Sequence, residues 1–186
     1  TIEKPIEYVF MDNRSIVEQR EVGRDTHSFE KALKSAFQED VDVIMVGDLN
    51  NKAVMKSALD LAEGGRLVFG GMGTDSSIKT IEKLINSFDA QEQQQARVQL
   101  SEALAGIIVQ RLLPRVGGSR ILVAEILIPT SPVRAVIREG NLLQLNNVLQ
   151  TSREEGMISL DKSLEEFVKT GEILLDSALQ YAVDKN

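Results

Sequence analysis

Val41-Asp42-Val43-Ile44-Met45-Val46-Gly47-Asp48 is the stretch whose reading decides the fold. Four of its first six residues are β-branched, and it ends in a glycine and an acid. The pattern predicts a fully buried strand with a carboxylate at its C-terminal end, where open α/β sheets place their ligands. On this stretch alone, a core strand that merely happens to end in Asp fits equally well.

Reading downstream, Asn50 or Asn51 caps a helix carrying Val54, Ala58, Leu61 and Ala62, and Gly64 stops it. Arg66 to Gly70 is a second hydrophobic strand. It runs through Gly70-Gly71-Met72-Gly73-Thr74-Asp75-Ser76 into a helix with Ile78, Ile81, Leu84, Ile85 and Phe88 on one side. A long Gln-rich helix from about Gln91 is expected to carry Leu100, Leu104, Ile107 and Ile108. Pro114 to Ser119 is a turn, Arg120 to Ile128 a strand, and Leu112-Leu113 the end of its hairpin partner.

Upstream, Thr26 or Ser28 caps a helix whose Phe29, Ala32, Leu33, Ala36 and Phe37 form one apolar face. Ile16 to Val22 alternates as an exposed strand does, and Ile6 to Phe10 reads as extended after Lys4-Pro5. Beyond Ile128 the character changes. Thr130 or Ser131 caps, Pro132 sits at a first helical position, and Gly140 closes a short helix. Helices at 142–150, 160–169 and 177–184 follow. Alternating strands and helices imply a mostly parallel sheet. The expected layout is an α/β core over residues 1–129 and an all-helical bundle over 130–186.

Composition narrows the chemistry. The 186 residues carry a net charge of −7, which argues against non-specific nucleic-acid binding. There is no Cys, hence no disulfide, thiolate metal site or cysteine nucleophile. His27 is the one histidine, so a multi-histidine metal site is excluded. No apolar run approaches the ~20 residues of a membrane span. The chain opens on Thr1 and an apparent strand, as a piece of a longer protein would.

No G-x-x-x-x-G-K-[ST] is present, nor any Gly-Lys dipeptide, so these residues hold no phosphate-cradling loop with its lysine. Gly71-Met72-Gly73-Thr74-Asp75-Ser76 follows a strand and opens a helix, as the dinucleotide fingerprint does. Ser76 stands at the third glycine, however, and the acid would have to be Asp89, in a loop. A tight turn whose N–H groups can bind an anion is the simpler reading. Glu3 and Glu7 flank Pro5 at the end of the first strand, where two carboxylates can orient water or bind Mg²⁺, or simply face solvent. Arg20 and Arg24 lie in a polar segment, suited to phosphate charge or to surface ion pairs.

Taken in order, these segments resemble a family. Thr1-Ile2-Glu3-Lys4-Pro5-Ile6-Glu7-Tyr8-Val9-Phe10 and Val17-Glu18-Gln19-Arg20-Glu21-Val22-Gly23 resemble the Asp-box and arginine-bearing segments of the type IV pilus retraction ATPases. These are the twitching-motility branch of the secretion superfamily ATPases. Asp42 to Asp48 resembles their Walker B, the strand whose acid serves Mg²⁺ or water beside the phosphates, and Gly65 to Gly70 opens what resembles their His box. Gln110-Arg111-Leu112-Leu113-Pro114 and Glu125-Ile126-Leu127-Ile128-Pro129 match the hairpin, and Val133 to Glu139 resembles the retraction motif.

The resemblance implies a RecA-like P-loop core lacking its Walker A half, then a small helical bundle. It implies ATP with Mg²⁺ in the intact protein, a hexameric ring, an inner-membrane platform protein as partner and a cytoplasmic site at that membrane. It assigns Glu3 and Asp48 to catalysis, and Arg20, Glu7, Gly73 and Thr74 to nucleotide. Val133, Arg134, Ile137, Arg138 and Glu139 fall in the motor motif. Departures cluster in the boxes. Lys4 stands for Asp, Asp48 for Glu, Asn50 and Asn51 for Arg and Asp, and Arg66 and Gly73 for two histidines. They imply weakened catalysis or, as the alternative, a non-catalytic ring subunit or adaptor.

Overall fold

β3 (Val43–Val46) lies inside a four-stranded sheet, flanked by β1 (Ile2–Glu3) and β4 (Leu67–Gly70), with β2 (Arg20–Glu21) outside β1. Every pairing in this sheet is parallel. The computed structural model describes residues 1–151 and 153–183. The described residues fall into two compact units, Thr1–Gly73 with Leu84–Ala103, and Thr74–Lys83 with the chain from Leu104 onward.

In the first unit, α1 (Phe29–Ala36) starts where Ser28 accepts the N–H of Lys31, and α2 (Lys52–Glu63) where Asn51 accepts that of Val54. Each cap satisfies one N–H that the first helical turn leaves unpaired. Phe29, Ala32, Leu33 and Ala36 of α1 and Val54, Ala58 and Leu61 of α2 are buried, whereas Phe37, expected on the α1 face, caps the helix and is 40% exposed. α1 packs on α2 and β1, α2 on β4 and α4 (Gln93–Ala103). Ile44 and Val46 point into this core.

Burial on both faces of β3, expected from its β-branched run, is not found. Val43 is 53% exposed, as are Leu67 at 46% and Phe69 at 55% on the neighbouring strand. Strand side chains alternate, and the register pairs Val43 with Leu67 and Met45 with Phe69. One sheet face is therefore covered and the other open in this chain. The N-terminal segment also differs. Ile6–Phe10 forms no strand, and of Ile16–Val22 only Arg20–Glu21 forms one, with Val22 in an isolated bridge to Thr26.

α3 (Ser77–Asn86) begins in the second unit and ends in the first. In the second unit β5 (Ile107–Pro114) and β6 (Arg120–Leu127) form an antiparallel hairpin. The Gln-rich helix thus stops at Ala103 and does not carry Leu104, Ile107 and Ile108. Gly106 follows and then three β-branched residues, which favour a strand over another helical turn. The hairpin turn uses left-handed backbone at Gly117, Gly118 and Ser119.

α5 (Ser131–Glu139) has Pro in its first turn and left-handed Gly140 as its stop. α6 (Leu145–Thr151), α7 (Leu160–Lys169) and α8 (Leu175–Tyr181) follow. The last helix ends at Tyr181, short of the expected 184, which lies outside the described residues. Leu113 and Val123 of the hairpin share a buried cluster with Leu160, Leu164, Ile173 and Ala178. The packing units therefore divide the chain elsewhere than at Pro129, because the C-terminal helices fill their core against the hairpin.

Candidate functional site

The C-terminal edge of the parallel sheet is where the first unit gathers its chemistry. Gly47 leaves β3 by donating its N–H to Ile2 O at 2.8 Å, and Gly71 leaves β4 by donating to Val46 O at 2.9 Å. Leu49 N–H then returns to Gly71 O at 2.8 Å. A β-carbon on Gly71 would stand 2.3 Å from Gly47 O, so the two segments approach closer than any side chain allows. This brings Glu3, Gly47-Asp48 and Gly70-Gly71 to one edge.

Glu3 is 7% exposed, an acid inside the fold rather than a solvated loop acid. Its Oε1 accepts hydrogen bonds from Gln19 Nε2 at 3.0 Å and from the Thr1 hydroxyl. A β-carbon on Gly47 would lie 3.8 Å from Glu3 Cγ, which places the acid over the glycine that precedes Asp48. Asp48 is exposed. Glu7, beyond the cis Lys4–Pro5 bond, is exposed as well.

Arg20 is held elsewhere. Its Nη1 and Nη2 bond Glu39 Oε1 and Oε2 at 2.9 and 3.1 Å, and Glu18 accepts a further bond at 3.3 Å. The hydrogen bond to Glu39 raises the guanidinium pKa above its ordinary value. Glu39 lies in the connection that enters β3, whereas Asp48 lies on its exit. Arg20 can therefore meet phosphate only by giving up a bidentate partner. Arg24, 80% exposed and 4.0 Å from Asp25, is the more available arginine of the segment.

The altered box residues separate into two kinds. Asn51 caps α2, a role Asp and Asn fill equally well, so that substitution preserves a structural device. Arg66 lies at the start of β4, with Nη1 3.2 Å from where a Gly64 β-carbon would be. Its strand is parallel to β3, so Arg66 sits at the sheet edge opposite Asp48. Gly73 is exposed with open space about it. Within this chain, Arg66 does not fill the position that Gly73 leaves without a side chain.

In the second unit, Thr74 Oγ1 lies 2.6 Å from Thr80 Oγ1. Two N–H groups of the turn expected to bind an anion are taken by the chain itself. Ser77 N–H, the first of α3, donates to Glu125 Oε1 at 2.6 Å, and Lys79 N–H donates to Ser76 Oγ at 3.2 Å. The dinucleotide reading also loses its acid. Asp89 bonds Lys52 Nζ at 2.6 Å, which holds its carboxyl below the usual range. In the stretch that resembles the retraction motif, Val133 and Ile137 are fully buried, so they anchor α5 rather than present a surface. Arg138 and Glu139 are exposed and Arg134 half-buried.

Glu125 and Gly71 entered the sequence reading only as members of longer motifs, and neither was expected to have the role the structure gives it. Glu125 had a signal: it shares a face of β6 with Val123 and Leu127, both fully buried, so an acid there must be buried too. Gly71 had none, since a close approach is visible only once both strands are in place. Among the described residues, no three His, Cys, Asp or Glu side chains could hold a metal ion, and no helix is long and apolar enough to cross a membrane.

The family described as type II/IV secretion system protein matches residues 1–119. The type IV pilus retraction ATPase PilT of Pseudomonas aeruginosa is 43% identical over 151 residues, 81% of this chain and 44% of that protein. The twitching motility protein of Neisseria gonorrhoeae is 43% identical over 154 residues, 82% of this chain and 41% of its own length. The crystal structure of the pilus retraction motor PilT with bound ADP superposes with a TM-score of 0.91 at 44% identity, covering 98% of this chain and 52% of that one. The Legionella pneumophila ATPase DotB shares the fold, with a TM-score of 0.85 at 22% identity. The chain spans about half the length of the relatives it matches. The architecture, a parallel sheet with helices and a helical part, is that of a RecA-like ATPase core. With residues 1–119 matched, the chain belongs to the type II/IV secretion system protein family.

Proposed function

We propose that this chain is the later half of an ATP-hydrolysing motor of type IV pilus retraction, working as a hexameric ring at the cytoplasmic face of the inner membrane against a platform protein. The likeness to PilT supports this reading, and so does a buried acid, Glu3, set over Gly47 at the C-terminal edge of a parallel sheet. We read 1–129 as the ATPase core by descent and 130–186 as its helical subdomain.

The residues suit a nucleotide partner in part. Glu3 would orient the attacking water and take its proton, because its buried carboxylate is fixed through Oε1. Asp48, exposed beside it, would hold a water of the Mg²⁺ shell. Mg²⁺ bound with ATP would neutralise charge developing on the phosphates. Thr74 and Gly73 would face the terminal phosphate, and Arg20 or Arg24 would reach phosphate across a ring contact. On α5, Arg134, Arg138 and Glu139 would meet the motor's partner while Val133 and Ile137 hold the helix down.

One observation favours the second reading, a non-hydrolysing ring subunit. Gly73 supplies no side chain where the resemblance has a histidine, and Arg66 does not reach that edge. Steady-state ATP hydrolysis by the longest natural form of the protein decides between the two. Gly73→His sharpens the test. A β-carbon at Gly73 would meet nothing within 4 Å, so the start of the side chain is accommodated. We expect unchanged melting and turnover raised roughly tenfold, the scale of one added transition-state contact. Turnover unchanged by the histidine would mean that position 73 does not face the reacting phosphate.

A further inference from the structure

We propose that Glu125 and Arg111 of the hairpin are positioning residues for the segment Thr74–Ser77, acting on nucleotide through Thr74; this rests on the nucleotide-binding reading of Thr74 given above. Glu125 is 6% exposed and Ser77 fully buried. Glu125 Oε1 accepts both the Ser77 N–H and the Ser77 hydroxyl, so one carboxylate oxygen fixes the first residue of α3 by its backbone and its side chain. The carboxylate also lies at the positive end of the helix dipole.

Packing alone does not call for an acid there. Val123 and Leu127, on the same face of β6, are fully buried aliphatic residues. A buried carboxylate is tolerated only where it is well partnered, and what it adds over an aliphatic residue is a fixed direction. Arg111, which pairs with Val123 across the hairpin, adds a second tie. Its Nη2 donates to Asp75 O at 3.2 Å, while its guanidinium lies 5.7 Å from the Tyr181 ring of α8.

Between these ties, Thr74 has little freedom. Its hydroxyl lies 2.6 Å from that of Thr80, which in turn donates to Ser76 O at 2.9 Å. The Asp75–Lys79 ion pair at 2.8 Å closes the same turn. The direction of Thr74 is thus set by the start of α3, and the start of α3 is set by Glu125 and Arg111.

The test is binding of ADP with Mg²⁺ by the longest natural form of the protein, together with its melting. Glu125→Ala is expected to weaken binding roughly tenfold, whereas Glu125→Gln, which keeps an acceptor oxygen, stays within about threefold of the parent. Thr74→Ala weakens binding too, and Thr74→Ala/Glu125→Ala is no weaker than Thr74→Ala, because a residue acting through another shows no separate effect. Leu164→Ala, in the core of the same unit, lowers melting without moving affinity. If Glu125→Ala fails to fold, Arg111→Ala carries the test in the same double variant. Parental affinity in Glu125→Ala, effects that multiply in the double variant, or an equal loss in Leu164→Ala overturns the proposal. A parent that does not bind ADP, or Thr74→Ala binding as the parent does, overturns the nucleotide reading beneath it, with a different signature.

Discussion

Glu3→Gln in the longest natural form of the protein is expected to lower ATP turnover by at least ~100-fold, within the range for loss of a general base. Nucleotide binding and melting should stay close to those of the parent. Both hydrogen bonds that hold Glu3 are accepted by Oε1, and the amide oxygen of Gln can accept them in its place. What the variant loses is the charge and the proton-accepting oxygen. Steady-state turnover beside equilibrium binding of ADP separates the two effects. Turnover that persists in the variant would remove Glu3 from the reaction. A parent that assembles without turnover would make the chain part of a ring partner that does not hydrolyse.

The position that resembles Walker B is altered as well. Asp48 is exposed, and its carboxylate is drawn back by one methylene relative to the Glu of the resemblance. A misplacement of ~1 Å at a reacting centre can lower rate ~100-fold. Glu3 and Asp48 thus differ in kind. One is buried and fixed by two donors, and the other is solvated at the exit of a strand.

The elements that the sequence made legible are those whose apolar period matches a single packing face. α1, α2 and α3 carry clean stripes, and they form where the stripes predict. β3 was legible as a strand but not in its burial, because a continuous apolar run does not say how many faces this chain itself covers. The helix expected to run on past Ala103 failed because Leu104, Ile107 and Ile108 keep a helical spacing by chance. Gly106 and the β-branched run after it prevailed. Of the site, Glu3 and Asp48 were legible through the resemblance. The bidentate capture of Arg20 by Glu39 was not, since the two residues are brought together only by the strand crossover.

Gly71→Ala is expected to have the largest effect on stability. The glycine is not there for its backbone freedom, since its φ lies outside the left-handed region that side chains avoid. It is there because its β-carbon would meet Gly47 O at 2.3 Å, and that neighbour is backbone and cannot rotate away. Relief requires the exits of β3 and β4 to part, straining the Gly71 N–H bond to Val46 O and the Leu49 N–H bond to Gly71 O. Two weakened backbone bonds at ~1 kcal/mol each, with overpacking of ~1–3 kcal/mol, give a loss of about 3–5 kcal/mol. Lower entropy of the unfolded chain offsets at most ~1 kcal/mol of this. The melting transition should therefore fall by roughly 10 °C. Turnover should fall with it, because Gly47 and Leu49 hold Asp48 between them. Gly73→Ala, with open space around it, should stay within ~0.5 kcal/mol of the parent. Were the two alanine variants to melt alike, the two strand exits would not be in contact, and the edge that brings Glu3 over Gly47 would lose its physical basis.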